Sequence, residues 1–412
     1  MGYSDPACFG SKVNDTPHLD RMAKEGMRFT NFYVATPVCS ASRAALLTGS
    51  YPLRVGITGV LDHRSKIGLN PGEITFAEIA KAKGYATGCF GKWHVGHHAQ
   101  FLPGKQGFDE FQGTPYSHDM WPFHPHSQAY PDLPLIADDQ ILQLNPNPSL
   151  LTTMSAENSV RFIDKNKDKP FLLYVPFNQP HVPLGVSPKF KGKSRNGLYG
   201  DVMMEIDWAV GQVMAKLKEH KLDTTTLVLF TSDNGPWEPY GNHAGNKGPL
   251  RGAKGSTWEG GMRVPMIAWW PGKIPAGKVC EEVAATIDVL PTVAKLIGGQ
   301  VPTDRVIDGR DISPLLLGEV NAKSPHDAVY YCRNNTIEAV RSGPWKLQVQ
   351  VVEEKGNGAV VKPLALYHLT TDIGEQKDVA AIQAEIVKKM TEQARLFMDD
   401  LRANSRKAGG AE

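Results

Sequence analysis

Short apolar runs alternate along the chain with stretches that have helical periodicity. The apolar runs are typical of buried strands in a parallel sheet, and they lie at 171–177, 226–231 and 264–270. The amphipathic helical stretches lie at 155–167, 200–219 and 287–297. This alternation predicts an α/β fold with one large mixed, mostly parallel sheet sandwiched by helices.

The first ninety residues repeat the alternation on a smaller scale. Thr16 and Pro17 are typical of an N-cap and the first residue of a helix. Further predicted elements are a strand at 29–34, helices at 42–48 and 75–83, and a strand at 85–90. Ligands of such sheets bind beyond the carboxyl ends of the strands. Polar clusters follow three predicted strands, at 91–94, 178–181 and 232–235.

The pattern changes at about residue 325, where short strands joined by turns precede a helix at 379–403. We therefore predict a catalytic α/β domain at 1–321 and a small C-terminal subdomain at 322–412, built from an antiparallel sheet and a helix. The polar tail from Ala403 is expected to fray, and the segment 375–377 is expected to be solvated surface.

Composition excludes several classes of protein. The 412 residues carry a net charge of +2, which gives no support to a nucleic-acid binder. No apolar stretch is long enough for a membrane-spanning helix. The five cysteines include no C-x-x-C pair, so no zinc ribbon or redox motif is predicted. A hydrophobic fraction of 41% fits a globular enzyme.

Cys39 has the most unusual context of the five cysteines. It opens the run Cys39-Ser40-Ala41-Ser42-Arg43 at a predicted helix N-terminus. Such a position lowers the pKa of a thiol and favours anions. By spacing alone, a buried structural cysteine is an equally good interpretation.

Other polar residues are individually ambiguous. Lys92 and His94 share one face of an extended chain, yet single charged residues near a strand end are mostly surface residues. Asp233 and Asn234 offer hard oxygen ligands that suit Ca²⁺ or Mg²⁺, but their sequence also forms a good turn. Trp237, Trp258 and His243 fit a substrate cleft or simple packing equally well.

The segment 119–150 is rich in proline and has no clear period. Segments of that kind inside a compact domain are usually functional or mobile loops. The histidines 118, 124 and 126 at its start have no second cluster of ligands nearby in the sequence. They therefore favour a substrate-facing loop over a metal site.

Together these motifs resemble the type I sulfatases, the formylglycine-dependent branch of the alkaline phosphatase superfamily. The match is carried by Cys39-x-Ala41-x-Arg43 followed by Ala-Ala-Leu-Leu-Thr-Gly, and it is most similar to the arylsulfatase A and N-acetylgalactosamine-6-sulfatase branches. The resemblance covers nearly the whole chain and implies an alkaline phosphatase-like fold. Further matching segments are 16–20, 91–94, 107–111, 232–235, 250–255, 258–261 and 345–347.

The resemblance implies that a maturation enzyme oxidises Cys39 to Cα-formylglycine. The hydrated aldehyde carries two hydroxyls on one carbon. One hydroxyl attacks sulfur to form a covalent sulfo-intermediate, and deprotonation of the other re-forms the carbonyl as sulfate is expelled. An ordinary serine or cysteine ester would instead need water to attack a crowded sulfur.

The resemblance also assigns roles to five other residues. It implies that Lys92 binds sulfate and that His94 contacts the formylglycine hydroxyl and takes part in the elimination. His181 is expected to be the general acid for the leaving oxygen. Lys254 is expected to bind sulfate and polarise the leaving group, and Arg43 to bind the hydrate and stabilise the anionic site.

For the metal, the resemblance implies Ca²⁺, with Mg²⁺ as the alternative, bound by Asp233, Asn234 and Cys39 as formylglycine. The family has two consecutive aspartates directly before the segment that matches Gly2 to Asp5, and Asp5 itself is not one of them. We therefore expect that Met1 is an internal methionine. On this expectation the chain lacks its first strand and half of its metal ligands, and its activity is weak or absent.

The predicted function is hydrolysis of an aryl or carbohydrate sulfate, with a formylglycine-generating enzyme as partner and neither nucleic acid nor a membrane. The alternatives are a phosphate or phosphonate monoester hydrolase on the same scaffold and a non-catalytic remnant that binds sulfated glycans. No signal peptide precedes Met1 in this chain. The family implies that the full-length parent is periplasmic or secreted.

Overall fold

Two five-stranded mixed sheets and one four-stranded antiparallel sheet organise the computed structural model, which describes residues 1–125, 127, 129–354 and 358–411. The strands are β1 (Met27–Tyr33), β2 (Ile67–Gly68), β3 (Ala86–Lys92), β4 (Glu110–Thr114), β5 (Pro134–Ala137), β6 (Gln140–Leu144), β7 (Phe171–Tyr174), β8 (Val228–Thr231), β9 (Arg263–Trp269), β10 (Lys278–Cys280), β11 (Ala284–Ala285), β12 (Val329–Arg333), β13 (Thr336–Ser342), β14 (Trp345–Glu354), β15 (Gly358–His368) and β16 (Gly409–Gly410). The α-helices are α1 (Pro17–Glu25), α2 (Cys39–Thr48), α3 (Phe76–Ala82), α4 (Leu151–Asn166), α5 (Gly197–Glu219), α6 (Glu259–Met262), α7 (Val289–Leu296), α8 (Ser313–Leu316) and α9 (Ala384–Asn404).

The first sheet has the strand order β10-β1-β9-β8, with β11 also paired to β1, and the second has the order β6-β5-β4-β3-β7. Strand β1 is parallel to β10 and β11, and β3 is parallel to β4 and β7, whereas the other pairs in these two sheets are antiparallel. The predicted mixed α/β class is confirmed. Every residue of β9 is buried. The predicted full burial of the runs at β7 and β8 is wrong, because both strands end the order of their sheets and are mostly half-buried.

The start of α3 is stabilised by a local capping box, whereas the start of α1 is stabilised by a residue distant in the sequence. Thr75 and Glu78 form a capping box at the start of α3, where Thr75 Oγ1 accepts from the Glu78 N–H at 3.2 Å. Thr16 precedes α1 as predicted, but its side chain caps nothing there. The carboxylate of Asp207 on α5 accepts from the N–H groups of His18 and Leu19 instead. Within the described ranges, no helix is long and apolar enough to cross a bilayer.

The C-terminal sheet has the order β12-β13-β14-β15, is antiparallel throughout, and packs against α9. Its buried side chains share one hydrophobic core with the first sheet, in which Phe32 and Leu347 are both members. The sheet therefore supports the first sheet directly. The domain boundary between 321 and 322 stays a prediction.

The C-terminal tail is ordered rather than frayed. Strand β16 pairs antiparallel with β2, and Arg406 forms an ion pair with Glu73 at 2.7 Å. The N–H of Arg406 also donates to the carbonyl of Arg54. The predicted fraying is wrong, because these partners lie more than three hundred residues earlier in the chain.

The proline-rich segment contains a hairpin that the sequence did not indicate. Strands β5 and β6 pair antiparallel through Asp138, which adopts a left-handed conformation with φ 54° in the turn. The Asp138 carboxylate accepts from the N–H of Phe111 at 2.9 Å, which fixes the turn against the end of the second sheet. His126 lies outside the described residues.

Candidate active site

Cys39 is the first residue of α2, and only 3% of its surface is exposed. Val38 precedes it in an extended conformation and makes no side-chain cap, so first-turn N–H groups remain available to a ligand. Gly49 ends the helix in the left-handed conformation with φ 65°. The fold thus places a thiol at the positive end of a buried helix.

Lys92, the last residue of β3, brings a buried ammonium to the same space. Its N–H donates to the carbonyl of Pro176 at 2.7 Å, and its carbonyl accepts from Arg43 Nη1 at 2.5 Å. The ammonium donates to Ser117 Oγ at 3.1 Å. Burial lowers the pKa of Lys92, and the nearby Cys39 thiol opposes that shift.

His94 follows Lys92 in a strained backbone conformation, with φ 64° and no exposed surface. Its Nε2 donates to the carbonyl of Leu61 at 2.8 Å, which leaves Nδ1 as an acceptor. Nδ1 is buried without a hydrogen-bond partner. Burial lowers the pKa of His94, so the ring is a neutral base beside Cys39.

His181 and Lys254 form a second pair of groups with acid and base character. Lys254 Nζ donates to His181 Nε2 at 2.9 Å, and His181 Nδ1 donates to the carbonyl of Val182 at 2.7 Å. Burial, together with the charges of Lys254 and Lys92, holds the pKa of His181 well below its ordinary value. The Lys254 backbone N–H donates to Pro236, which ties the lysine to the segment after β8.

Asp233 and Asn234 follow β8 and offer oxygen atoms to the same space. Arg43 binds Oδ2 of Asp233 through Nε at 3.1 Å and Nη2 at 2.9 Å. Although burial alone would raise it, Arg43 and Lys92 hold the pKa of Asp233 well below its usual range. Asn234 Oδ1 is buried and accepts no hydrogen bond.

We refer to Cys39, Arg43, Lys92, His94 and Lys254 as the catalytic cluster. Burial alone would raise the pKa of the Cys39 thiol, but Lys92, His94 and Lys254 hold it well below its ordinary value. A buried site with this surplus of positive charge binds an anion and stabilises negative charge that develops on it.

The structure therefore brings together all of the sequence-predicted site residues, although their roles stay predictions. Asp5 faces other partners, since its carboxylate accepts from Gly2 N, Tyr199 Oη and Asn246 N. The residues gathered in this site are Cys39, Arg43, Lys92, His94, His181, Asp233 and Lys254, and Asn234 follows Asp233 in the chain.

Sequence reasoning missed Ser117 and Asp119, which flank His118, a residue that it assigned only to a substrate-facing loop. Ser117 accepts from Lys92, and the His118 ring lies 6.0 Å from the ring of His181. Asp119 Oδ1 lies 4.0 Å from His181 Nδ1, is buried, and accepts no hydrogen bond. The only available signal was the position of these residues directly after a strand, β4, that ends beside β3.

The tryptophans flagged from the sequence separate into two environments. The ring of Trp237 lies 5.3 Å from that of His181, and Lys254 Nζ lies 4.4 Å over it. Trp258 instead packs under the Arg251 guanidinium at 3.6 Å and against Tyr367. Trp237 therefore borders the site, whereas Trp258 is part of the packing behind it.

The expectation that segment 375–377 is solvated is wrong for Glu375, which has no exposed surface. It belongs to a buried group of charges, here called the Glu259 cluster, in which Lys346 Nζ contacts Glu259 at 3.2 Å and Glu375 at 2.7 Å. Arg263 and Arg341 each approach Glu259 within 3.8 Å. Burial alone would raise the pKa of Glu259, but Lys346 and Arg341 lower it to about 2.

Comparison of the sequence with known proteins finds matches to sulfatases. The sequence matches the family Sulfatase over residues 1–299 and the family N-sulphoglucosamine sulphohydrolase, C-terminal, over residues 253–396. Arylsulfatase A from Homo sapiens is 41% identical over 372 residues, which cover 84% of this chain and 72% of that protein. N-acetylgalactosamine-6-sulfatase from Canis lupus familiaris is 38% identical over 367 residues, covering 84% and 69%.

A solved structure shows the same likeness in three dimensions. The crystal structure of Ps i-CgsB in complex with k-i-k-neocarrahexaose matches with a TM-score of 0.83 and 30% sequence identity. The match covers 99% of this chain and 93% of that one.

Proposed function

The chain belongs to the sulfatase family and is a sulfuric ester hydrolase, and we propose that Cys39, after oxidation to Cα-formylglycine, is its catalytic centre. The observation that supports this is the position of Cys39 at a buried helix start, beside the charges of Lys92 and Lys254 and the ring of His94. The hydrated aldehyde supplies a nucleophilic hydroxyl and a second hydroxyl through which the ester to the enzyme is released.

Two cations of the catalytic cluster bind the sulfate group in this proposal, and a third, Arg43, aligns the site. Lys92 and Lys254 face Cys39 and carry charges that are not neutralised by a neighbouring carboxylate in the way that Arg43 is by Asp233. They are therefore available to the sulfate oxygens and to the bridging oxygen, on which negative charge grows as the ester bond breaks. Arg43 fixes Asp233 and the carbonyl of Lys92, which keeps the site aligned.

His181 is the proposed general acid. Its Nε2 receives a hydrogen bond from Lys254, and both groups border the side of the site that Trp237 covers. In the free enzyme Nε2 accepts from Lys254 and the ring is neutral, but the negative charge of a bound sulfate ester favours the protonated form of the ring. The proton delivered to the leaving oxygen then moves from Nε2. His94, neutral and with Nδ1 free, is the base that receives the proton of the second hydroxyl at Cys39.

The family also implies a metal ion, and the oxygen atoms after β8 fit one. Asn234 Oδ1 is buried without a partner, and Arg43 occupies Oδ2 of Asp233, which leaves Oδ1 as a ligand. We propose that Asp233, Asn234 and the modified Cys39 hold Ca²⁺, with Mg²⁺ as the alternative, since both ions prefer oxygen ligands. When bound, the ion neutralises charge on the sulfate oxygens.

The border of the site indicates a sugar as the leaving alcohol. Trp237 lies beside His181 and has Tyr240 at 4.8 Å, and both aromatic rings are half-buried. Such a surface stacks on the apolar face of a sugar ring. Asp119, 4.0 Å from His181 Nδ1, has a buried oxygen without a hydrogen-bond partner, and a hydroxyl would satisfy this carboxylate. We therefore propose a carbohydrate sulfate as the substrate, with aryl sulfates as simpler substitutes.

The proposal includes a formylglycine-generating enzyme as partner. Only 3% of Cys39 is exposed in the folded protein. The maturation enzyme must therefore act on this segment before the segment folds. A location outside the cytoplasm, periplasmic or secreted, is the expectation that comes with the family.

Mass spectrometry of the peptide that contains Cys39 tests the central step. Protein produced together with the maturation enzyme is expected to show a loss of about 18 Da relative to cysteine, in proportion to its sulfatase activity. Cys39→Ala is the control that neither converts nor turns over. Full activity from protein in which the thiol is unmodified would overturn the proposal.

A sulfate ester and a phosphate ester with the same leaving group test whether the enzyme prefers sulfate. We expect kcat/KM for 4-nitrophenyl sulfate to exceed that for 4-nitrophenyl phosphate by roughly 100-fold or more, because differential binding in the transition state sets such ratios. A preference for phosphate would identify a phosphate monoester hydrolase instead. Binding of sulfated oligosaccharide without turnover of either ester would identify a non-catalytic protein.

A further inference from the structure

A continuous chain of contacts connects the C-terminal sheet to the catalytic cluster. It runs from Lys346 on β14 through Glu375 to the loop 251–260, which carries Lys254. We propose that Glu375 is a positioning residue for Lys254, and that it acts by fixing the two ends of this loop. The inference rests on the proposed role of Lys254 in sulfate ester hydrolysis.

The loop is closed at its base by the backbone. The N–H of Gly260 donates to the carbonyl of Arg251 at 2.7 Å, and the two strands of the loop come so close that a Cβ on Gly260 would lie 2.2 Å from the carbonyl oxygen of Gly252. At the tip, the N–H groups of Lys254 and Gly255 donate to the carbonyls of Pro236 and Pro37 at 2.9 and 3.0 Å. The position of Lys254 therefore depends on contacts at the tip of the loop and on the closure of its base.

Glu375 accepts hydrogen bonds from both ends of the loop. Its carboxylate Oε2 accepts from the N–H of Glu259 at 2.9 Å, and its backbone carbonyl accepts from Arg251 Nη1 at 2.8 Å. Arg251 is in turn stacked over Trp258 at 3.6 Å. Because Glu375 contacts both Arg251 and Glu259, it sets their separation and, with it, the direction of the loop.

Glu375 is itself held in one conformation. It is a non-glycine residue with φ 53°, its side chain has no exposed surface, and its N–H donates to the carbonyl of Asp372 at 3.1 Å. Lys346 places its ammonium 2.7 Å from the carboxylate. A strained conformation of this kind persists where surrounding contacts determine it, and it clusters at functional positions.

The tip of the loop explains why its direction matters for the reaction. Lys254 Nζ reaches His181 Nε2 at 2.9 Å, and its positive charge is close enough to Cys39 to favour negative charge at that position. A change in the direction of the loop changes the distance from Lys254 to both groups. Loss of the Glu375 carboxylate should therefore weaken the same transition-state contacts as loss of Lys254 itself.

A double-mutant cycle tests this connection. Glu375→Gln keeps the size and one acceptor oxygen but removes the charge that Lys346 neutralises, and we expect kcat/KM for a carbohydrate sulfate to fall by roughly tenfold or more. In a Lys254→Ala background, the same change should have less than about a twofold further effect. The loss from Glu375→Gln should also divide between kcat and KM in the same proportion as the loss from Lys254→Ala.

A second buried ion pair provides the matched control. Arg54 contacts Asp308 at 2.7 Å, with side chains 0% and 7% exposed, and no residue of the loop takes part. Asp308→Asn is expected to lower the melting temperature as Glu375→Gln does. Its effect on kcat/KM should be small and unchanged by Lys254→Ala.

The outcomes are distinguishable. If the losses in kcat/KM from Glu375→Gln and Lys254→Ala multiply, Glu375 supports stability alone and the inference is wrong. If Lys254→Ala has no effect by itself, the proposed function of Lys254 fails instead. Should Glu375→Gln not fold, Arg251→Lys removes the contact to the Glu375 carbonyl and the stacking on Trp258, and the same non-additivity is expected of it.

Discussion

Two buried clusters of charge in this protein are built on opposite principles. In the Glu259 cluster, Lys346 lies between Glu259 and Glu375, and the hydroxyls of Tyr33 and Tyr331 donate to Glu259 at 2.9 and 2.8 Å. The charges there are paired with one another; even Glu375 Oε1, which accepts no hydrogen bond, lies 2.7 Å from Lys346 Nζ. The catalytic cluster holds several cations around a single thiol and leaves buried acceptor atoms without partners.

The difference shows how a buried cluster that binds a ligand can be distinguished from one that only stabilises the fold. An unpaired buried polar atom costs stability, so it persists where a ligand completes it. His94 Nδ1 is such an atom beside Cys39, Asn234 Oδ1 is one in the residue after Asp233, and Asp119 Oδ1 is one beside His181. The Glu259 cluster instead joins the C-terminal sheet to the loop that carries Lys254.

The strongest test of this comparison removes one buried lysine from each cluster. Lys92→Met should lower kcat/KM by roughly 1,000-fold, because an electrostatic contact to the transition state is lost. Its stability should be equal to the wild type or higher, since a desolvated charge in a cationic site is removed. Urea unfolding and kinetics on one preparation measure both quantities.

Lys346→Met is the partner experiment. It leaves two buried carboxylates without their shared cation, and we expect a loss of about 3–5 kcal/mol in the free energy of unfolding. If Lys92→Met destabilises as much as Lys346→Met, the distinction between the two clusters does not hold.

The next effect in size concerns His181 and depends on the leaving group. His181→Ala should lower kcat/KM by roughly 100-fold for a sugar sulfate, whose alkoxide needs a proton. The effect on 4-nitrophenyl sulfate should be below about tenfold, since nitrophenolate leaves without one. Equal losses on both substrates would show that His181 binds the sulfate group rather than protonating the leaving oxygen.

The smallest effect is a pH dependence of stability that belongs to the Glu259 cluster. Burial would raise the pKa of Glu259 from its ordinary 4.5, but Lys346 and Arg341 lower it to about 2. The depressed pKa means that its contribution is complete above pH 4.5 and is lost as the pH falls toward 2. In Glu259→Gln the free energy of unfolding should therefore decrease less steeply between pH 4.5 and 2 than in the wild type. An unchanged slope would show that Glu259 does not cause this pH dependence.

The elements around Cys39 could be predicted because their causes are local. A cysteine before a run of helix formers, ended by a glycine that the structure places at φ 65°, gives α2 with nearly the predicted ends. Strands β3 and β9 likewise begin and end within two residues of the predicted strands at 85–90 and 264–270. The gathering of Lys92, Lys254 and Asp233 around Cys39 follows from the order of the strands, which local pattern does not give; the family resemblance predicted only that these residues share a site.

The burial of Glu375 could not be predicted, and the reason is physical. Its neighbours in the sequence are polar, and Lys346, the cation that makes burial tolerable, lies in a different strand. The order of the tail has a similar origin, because β16 pairs with β2 across almost the whole chain. Long-range pairing of polar groups leaves no periodic trace in the sequence.

The burial of α2 has a consequence for how this protein tolerates change. Of its residues only Leu46 is partly exposed, so nearly every substitution in the helix alters both the packing and the environment of Cys39. The half-buried Trp237 and Tyr240 lie in a segment with exposed neighbours. A library of random variants selected for a new sulfated substrate should therefore accumulate its successful changes in that border segment and almost none in the helix.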